Sequence, residues 1–130
     1  MKTPTPATCP CGAGAPYPVC CGRWHDGLPA PSAEALMRSR YSAYALELAD
    51  YLLATWHPRT RPGRLDFSTG ERCRWLGLEL RAQQSDDSQA TVEFVARFRI
   101  GGGPARRLHE VSRFVREDGR WFYLDGQFPD

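Results

Sequence analysis

The stretch "LHEVSRFVREDGRWFYLDG", residues 108–126, consists of two alternating runs separated by Asp118-Gly119. Asp-Gly between such runs is a strong signal for a two-residue β-hairpin, because both central residues of a type I′ turn adopt positive φ angles. The turn predicts the register, which pairs Val115 with Phe122, Phe114 with Tyr123, Arg113 with Leu124 and Ser112 with Asp125. Polar and aromatic side chains fall on both faces of this hairpin, a mixture that suits a curved sheet with a partly enclosed polar cavity.

Two further strands precede the hairpin. "WLGLELRA", residues 75–82, and "TVEFVARFRI", residues 91–100, both alternate with a period of two, which is typical of β-strands. Turn-forming sequences follow each of them: "QSDDSQ" after the first and "GGGPAR" after the second. The sequence therefore predicts a four-stranded antiparallel meander.

Helices are predicted upstream of the sheet. Ser32 is a candidate N-cap for a helix over residues 33–48, in which Met37, Tyr41, Tyr44, Ala45 and Leu48 recur at helical spacing. A second helix is expected after a bend near Ala49 and Asp50, ending before Pro58, and residues 59–74 are expected to form a loop. Helices followed by an antiparallel meander indicate an α+β fold with the helices on one face of the sheet.

Composition limits the classes of function. The chain has 130 residues, of which 42% are hydrophobic, enough for one domain with a small appendage. Its 17 basic and 15 acidic residues nearly balance, so we do not expect nucleic acid binding. No apolar run has the length of a membrane span, and the N-terminus has no apolar signal region. We therefore expect a cytoplasmic protein with no membrane partner.

Four of the five cysteines lie close together, as Cys9, Cys11, Cys20 and Cys21, with the spacing C-x-C-x8-C-C. Clustered thiols in a reducing compartment favour a metal site over disulfides, and four thiolates suit tetrahedral Zn²⁺. We expect one structural zinc ion per chain, because a closed four-cysteine site leaves no position for water. The alternatives are a disulfide pair, unrelated thiols, or His25 replacing one cysteine as a ligand.

The segment "DGLPAP", residues 26–31, is rich in turn-forming residues and reads as a linker. It predicts a boundary between a zinc lobe over residues 1–27 and a main domain over residues 28–130.

Several segments carry a family resemblance. "CPCGAGAPYPVCCG" resembles the SEC-C motif, a resemblance that makes the same four cysteines the zinc ligands. "LMRSRYSAYALELADYLLATWHP", "WLGL", "VEFVARF" and "HEVSRFVREDGRWFYLDG" resemble, in this order, segments of the YchJ family of uncharacterised bacterial proteins. The resemblance implies an N-terminal SEC-C motif joined to a nuclear transport factor 2-like cone of helices and curved sheet, but it implies no reaction.

Cones of this kind often hold a pocket between the helices and the concave face of the sheet. The polar residues predicted for it are Arg40, Tyr44, His57, His109, Glu110, Arg113 and Asp125. Arg40 lies within the apolar arc of its helix and is either an anion clamp or, as we favour, the partner of Glu110 or Asp125 in a structural ion pair. His57 is either a general base or, as we favour, a C-terminal cap of the preceding helix.

Two classes of function follow. The first is a non-catalytic binding module, which docks a protein through the zinc lobe or holds a small-molecule ligand in the cone. The second is an isomerase or dehydratase that uses the cone pocket, with His109 or Asp125 as the base. The zinc lobe favours the binding module, because a closed four-thiolate site performs no chemistry, and no catalytic residue is assigned.

Overall fold

The computed structural model describes residues 8–68 and 70–129 and confirms the α+β class. A 3₁₀ turn at Tyr17–Val19 precedes three helices: α1 (Cys21–His25), α2 (Ala33–Leu46) and α3 (Ala49–Ala54). Four strands follow: β1 (Cys73–Ser85), β2 (Gln89–Ile100), β3 (Ala105–Glu117) and β4 (Arg120–Gln127). The strands pair in sequence order, each antiparallel to the next, as the predicted meander requires.

The β3–β4 hairpin turns at Asp118 and Gly119, whose φ angles are 52° and 78°. The first two predicted pairs, Val115 with Phe122 and Phe114 with Tyr123, are present. Beyond them the predicted register is wrong, because Leu124 is an extra residue in β4. This β-bulge pairs Arg113 with Asp125 and Ser112 with Gly126. An added residue moves every later side chain of its strand to the other face of the sheet.

Helix α2 begins as predicted, since the Ser32 hydroxyl accepts a hydrogen bond from the Ala35 backbone N–H at 3.0 Å. It ends at Leu46, two residues before the predicted end. Glu47 takes a left-handed conformation with φ 60°, and the Leu48 N–H then bonds to the Ala43 carbonyl at 2.8 Å. This reversal is a common way to end a helix, and it allows α3 to start at Ala49 in a new direction.

The core lies between α2 and the concave face of the sheet. Its buried members are Ala33, Leu36, Met37, Tyr41, Ala90, Val92, Phe94, Ala96, Phe114 and Trp121. The four residues from β2 occupy alternate positions, as a sheet with one covered face requires, and β3 and β4 contribute Phe114 and Trp121. The core thus joins the helical layer to the sheet.

Strand β1 forms one edge of the sheet and pairs with β2 among the described residues. Its pairing shifts twice, between Trp75 and Gly77 and again between Leu80 and Ala82. Such irregularities bend a strand and increase its twist, so β1 curves around the helices.

Among the described residues, none of the helices has the length and hydrophobicity that a membrane span requires.

The packing of α2 predicts a contrast between two leucines. Leu36 is 2% exposed in the core, whereas Leu76 in β1 is 40% exposed. We expect Leu36→Ala to lower the free energy of unfolding by about 3 kcal/mol, through lost burial and the cavity left behind. Leu76→Ala serves as the matched control and should cost less than about 1 kcal/mol. Urea unfolding at a fixed zinc concentration measures both, and equal losses would contradict this account of the core.

Candidate metal centre and cavity

The four predicted ligands, Cys9, Cys11, Cys20 and Cys21, form one cysteine cluster. Their Sγ atoms all lie within 4.8 Å of one another, and three of the four residues are buried. Sγ of Cys11 lies 3.6 Å from Sγ of Cys20, so the two are not bonded as a disulfide. With zinc–sulfur bonds of about 2.3 Å, the sulfurs of a regular tetrahedron lie about 3.8 Å apart. The donor atoms and their spacing therefore fit a tetrahedral metal ion.

Local backbone structure brings the two halves of the cysteine cluster together. A tight turn follows Cys9, whose carbonyl accepts from the Gly12 N–H at 3.2 Å, and Gly12 has a φ angle of 82° that favours glycine. Cys20 and Cys21 lie at the start of α1. Gly22 permits this start, because a Cβ atom there would lie 2.8 Å from the Tyr17 carbonyl oxygen.

Burial and the close contacts among these thiols give Cys11, Cys20 and Cys21 different pKa values. A hydrogen bond from Cys21 lowers the pKa of Cys11 to about 5, and the same contact raises the pKa of Cys21. Burial raises the pKa of Cys20 to about 11. One thiolate is therefore favoured while its neighbours resist ionisation. A bound cation would remove this conflict, because metal ligation requires deprotonated sulfur.

The lobe formed by residues 8–27 is fastened to α2 by polar contacts. Ser42 Oγ lies 3.4 Å from Cys9 Sγ, and the Arg38 guanidinium donates to the Cys11 carbonyl at 3.1 Å. His25 Nε2 donates to the Ser39 carbonyl at 2.8 Å. The cysteine cluster is therefore attached directly to a helix of the cone.

His25 does not act as a ligand in this structure, because both of its ring nitrogens are hydrogen-bonded. Nε2 must carry the proton, since the Ser39 carbonyl only accepts, and Nδ1 then accepts from the Tyr17 hydroxyl at 2.5 Å. Burial raises the pKa of Tyr17 to about 12, which keeps this hydroxyl a donor. The alternative in which His25 replaces a cysteine is thus not supported by its contacts.

A cavity of about 450 Å³ lies between the helices and the concave face of the sheet. Three of the seven predicted pocket residues line it: Arg40, Tyr44 and Glu110. Tyr41, Trp56 and Ser112 also line it, together with an apolar wall that was not predicted. That wall includes Met37, Trp75, Phe94, Ala96, Leu108, Phe114, Tyr123 and Phe128. Several of these belong to the alternating sets of β2 and β3, and that alternation is the signal that could have found them.

Arg40 is 5% exposed and does not form the predicted ion pair with Glu110 or Asp125. Its Nη1 instead donates to the Leu52 carbonyl at 2.9 Å and to the Thr55 hydroxyl at 2.7 Å. The guanidinium carbon lies 4.9 Å from the ring centroid of Trp56 and 4.6 Å from that of Tyr123. The buried cation is therefore stabilised by two polar oxygens and two aromatic faces.

Glu110 is 7% exposed and is held in place at the cavity wall. Its Oε2 accepts from the Ser112 hydroxyl at 2.7 Å and from the Tyr123 hydroxyl at 2.8 Å. Burial and the neighbouring carboxylate raise the pKa of Tyr123, so this hydroxyl remains a donor. Gly126 lies beneath the carboxylate, and a Cβ atom there would overlap it. Glu110 therefore has a fixed position.

The other four predicted pocket residues do not line the cavity. His57 bonds to Glu117 at 2.9 Å and His109 to Glu93 at 2.7 Å, while Arg113 donates twice to Asp125 at 2.6 Å. His109 and Arg113 alternate with Glu110 and Ser112 along β3, so they fall on the opposite face. The bulge at Leu124 transfers Asp125 to that face as well.

His57 lies after the end of α3 and is not its C-terminal cap. The backbone N–H of Thr55 bonds to the Tyr51 carbonyl at the end of that helix. The His57 N–H instead donates to the Tyr123 carbonyl of β4 at 2.8 Å. His57 thus helps to attach the segment after α3 to the sheet.

Comparisons with known proteins agree with this architecture. Residues 32–126 match the family model described as "YchJ, middle NTF2-like domain". A UPF0225 protein of Bordetella parapertussis is 59% identical over 132 residues, covering 97% of this chain and 98% of the relative. A UPF0225 protein of Xanthomonas campestris is 56% identical over 127 residues, with 97% and 98% covered.

Two solved structures are similar as well. A SEC-C motif containing protein from Rhodopseudomonas palustris is 40% identical, with a TM-score of 0.83, covering 95% of this chain and 99% of that one. A SEC-C motif containing protein from Psychrobacter arcticus is 29% identical, with a TM-score of 0.75, covering 97% and 85%. The likeness therefore extends over the lobe and the cone together.

The environment of His25 predicts its titration. Burial lowers its pKa in the folded protein, whereas the unfolded chain should titrate near the ordinary value of about 6.5. The contribution of His25 to the free energy of unfolding should therefore be lost as the pH falls from about 6.5 through the lower pKa of the folded protein. NMR titration of the ring with zinc in excess tests this, with the chain in concentrated urea as the control. A folded midpoint at or above that of the unfolded chain would contradict it.

Proposed function

The chain belongs to the YchJ family, and we propose that it is a non-catalytic binding module built on a structural zinc site. In this proposal the cysteine cluster binds one Zn²⁺ per chain, and the cone beside it holds the ligand. The single observation that carries the metal assignment is the meeting of four cysteine sulfurs within 4.8 Å at a mostly buried position. Four sulfur ligands are typical of closed structural zinc sites.

Zinc would act here as a cross-link and not as a reagent. Cys9 and Cys11 come from one turn and Cys20 and Cys21 from the start of α1, so one ion would tie both segments together. The lobe has little apolar core of its own beyond the cysteine cluster and Tyr17, so metal binding would supply much of its folding free energy. Because the lobe is hydrogen-bonded to α2, metal binding would then also stabilise the folded cone.

The enzyme alternative receives little support from the described residues. His109 and Asp125, its proposed bases, both lie outside the cavity and are engaged with Glu93 and Arg113. A cluster of four cysteines would also leave no open coordination position on the metal for water. These arrangements favour binding over proton transfer.

A protein partner of the lobe stays a prediction. One face of the lobe is covered by α2, whereas Val19, at the end of the 3₁₀ turn, is 59% exposed. We propose this exposed aliphatic side chain as a contact for a partner.

The zinc assignment predicts a stoichiometry. Native mass spectrometry should find one zinc ion per chain, lost on treatment with a strong chelator. Cys9→Ser and Cys20→Ser should each lower zinc content to less than about half, because each removes one of the four thiolates. Cys73→Ser is the matched control, since Cys73 lies outside the cysteine cluster, and it should retain one zinc ion. Free thiols without metal in the intact chain would refute the proposal.

The contact between Ser42 of α2 and Cys9 of the cysteine cluster predicts that Ser42 contributes to metal affinity. Ser42→Ala removes the hydroxyl beside Cys9 and should weaken zinc binding about tenfold, a typical effect of a group that hydrogen-bonds a ligand. Competition with a chromophoric chelator measures this affinity.

Ser39→Ala provides a matched control for the Ser42 variant. Ser39 is equally buried on the same helix, but its hydroxyl bonds to the Leu36 carbonyl and the Tyr51 hydroxyl. This variant should lose stability and keep its zinc affinity. Equal affinity losses in both variants would mean that Ser42 acts only through the stability of α2.

A further inference from the structure

The size and lining of the cavity restrict what it can hold. Its volume of about 450 Å³ lies within the range of about 300–1,000 Å³ that is usual for small-molecule sites. Aromatic residues from α2, the segment after α3 and all four strands line it, and they include Tyr44, Trp56, Trp75, Phe94, Phe114 and Tyr123. Flat aromatic walls favour a planar apolar ligand, which can stack against them or meet them edge to face.

Glu110 offers this ligand one hydrogen-bond acceptor. Ser112 and Tyr123 both bond to Oε2, and Oε1 has no hydrogen-bond partner among the described residues. A carboxylate oxygen can accept further bonds, and this one belongs to a side chain already fixed over Gly126. The acceptor is therefore in position before the ligand arrives, which lowers the entropy cost of binding.

The charges around the cavity restrict the charge of the ligand. Arg40 and Glu110 are both at least nine-tenths buried and both line the cavity, so their charges offset each other. An ionised ligand would be attracted by one of these side chains and repelled by the other, so it gains little net attraction to offset the hydration that it loses in a mostly apolar cavity. An uncharged ligand does not lose this ionic hydration.

We propose that the cavity binds an uncharged planar aromatic molecule of one or two rings, whose N–H or O–H donates to Oε1 of Glu110. The inference rests on the proposed function, in that the chain is taken to be a binding module, and it specifies the ligand class of the cone. It does not depend on which metal the cysteine cluster holds.

The test uses two probes of nearly equal shape, indole and 1-methylindole, added to the ¹⁵N-labelled full chain with zinc. Indole should shift the side-chain N–H signals of Trp56 and Trp75, which line the cavity, and leave that of Trp24 unchanged. We expect 1-methylindole to bind about tenfold more weakly, because it lacks the donor for a carboxylate hydrogen bond.

Two glutamate variants identify the acceptor. Glu110→Gln preserves the size of the side chain and removes its charge, and it should reduce the preference for indole to less than about threefold. Glu93→Gln is the matched control, since Glu93 is on the neighbouring strand, bonds to His109 and does not line the cavity. This control should keep the tenfold preference.

The results of these experiments distinguish a failure of the ligand proposal from a failure of the zinc proposal. Equal affinity of the intact chain for both probes, or no shift of the Trp56 and Trp75 signals, would overturn the ligand class even if one zinc ion is bound. A chain without zinc that still prefers indole would overturn only the metal assignment. If Glu110→Gln fails to fold, the probe comparison in the intact chain still decides the proposal.

Discussion

Helix α2 has to be covered on two sides at once, and the rest of the molecule is arranged around that requirement. Eight of its 14 residues are buried. One side meets the cavity and core through Met37, Arg40 and Tyr41, whereas the other meets the lobe through Ser39 and Ser42. A helix with this much covered surface gains its stability from packing more than from intrinsic propensity. Lobe, helix and sheet therefore form one connected structure.

The elements of the fold were predictable because their signals are local. Alternation with a period of two marks the strands, the Asp118-Gly119 turn marks the hairpin, and Ser32 marks the start of α2. The four cysteines were equally predictable as a group, since their spacing is visible in one short segment. The bulge at Leu124 was not predictable. The sequence of β4 is compatible with a regular strand and equally with a strand that contains one extra residue, so the register beyond the bulge cannot be chosen from the sequence.

The predictions that failed concern contacts between distant parts of the chain. The partners of Arg40 include Thr55, Trp56 and Tyr123, which come from the segment after α2 and from β4. A carboxylate partner was predicted for this buried cation, because buried charges are commonly paired, but the structure surrounds it with polar oxygens and aromatic rings instead. In the same way, the hydroxyls of Ser39 and Ser42 contact Tyr51 of α3 and Cys9 of the lobe, and a pattern of apolar residues along α2 cannot reveal such contacts.

The irregular pairing of β1 has a consequence for the behaviour of the protein in concentrated solution. An edge strand presents unpaired N–H and C=O groups, to which the strand of a second molecule could add. The two shifts in β1 interrupt the straight, evenly spaced row of groups that such an addition needs. Exposed Arg74, Glu79 and Arg81 place charges along the same strand. The geometry that curves the sheet around its helices thus also protects it against edge-to-edge aggregation.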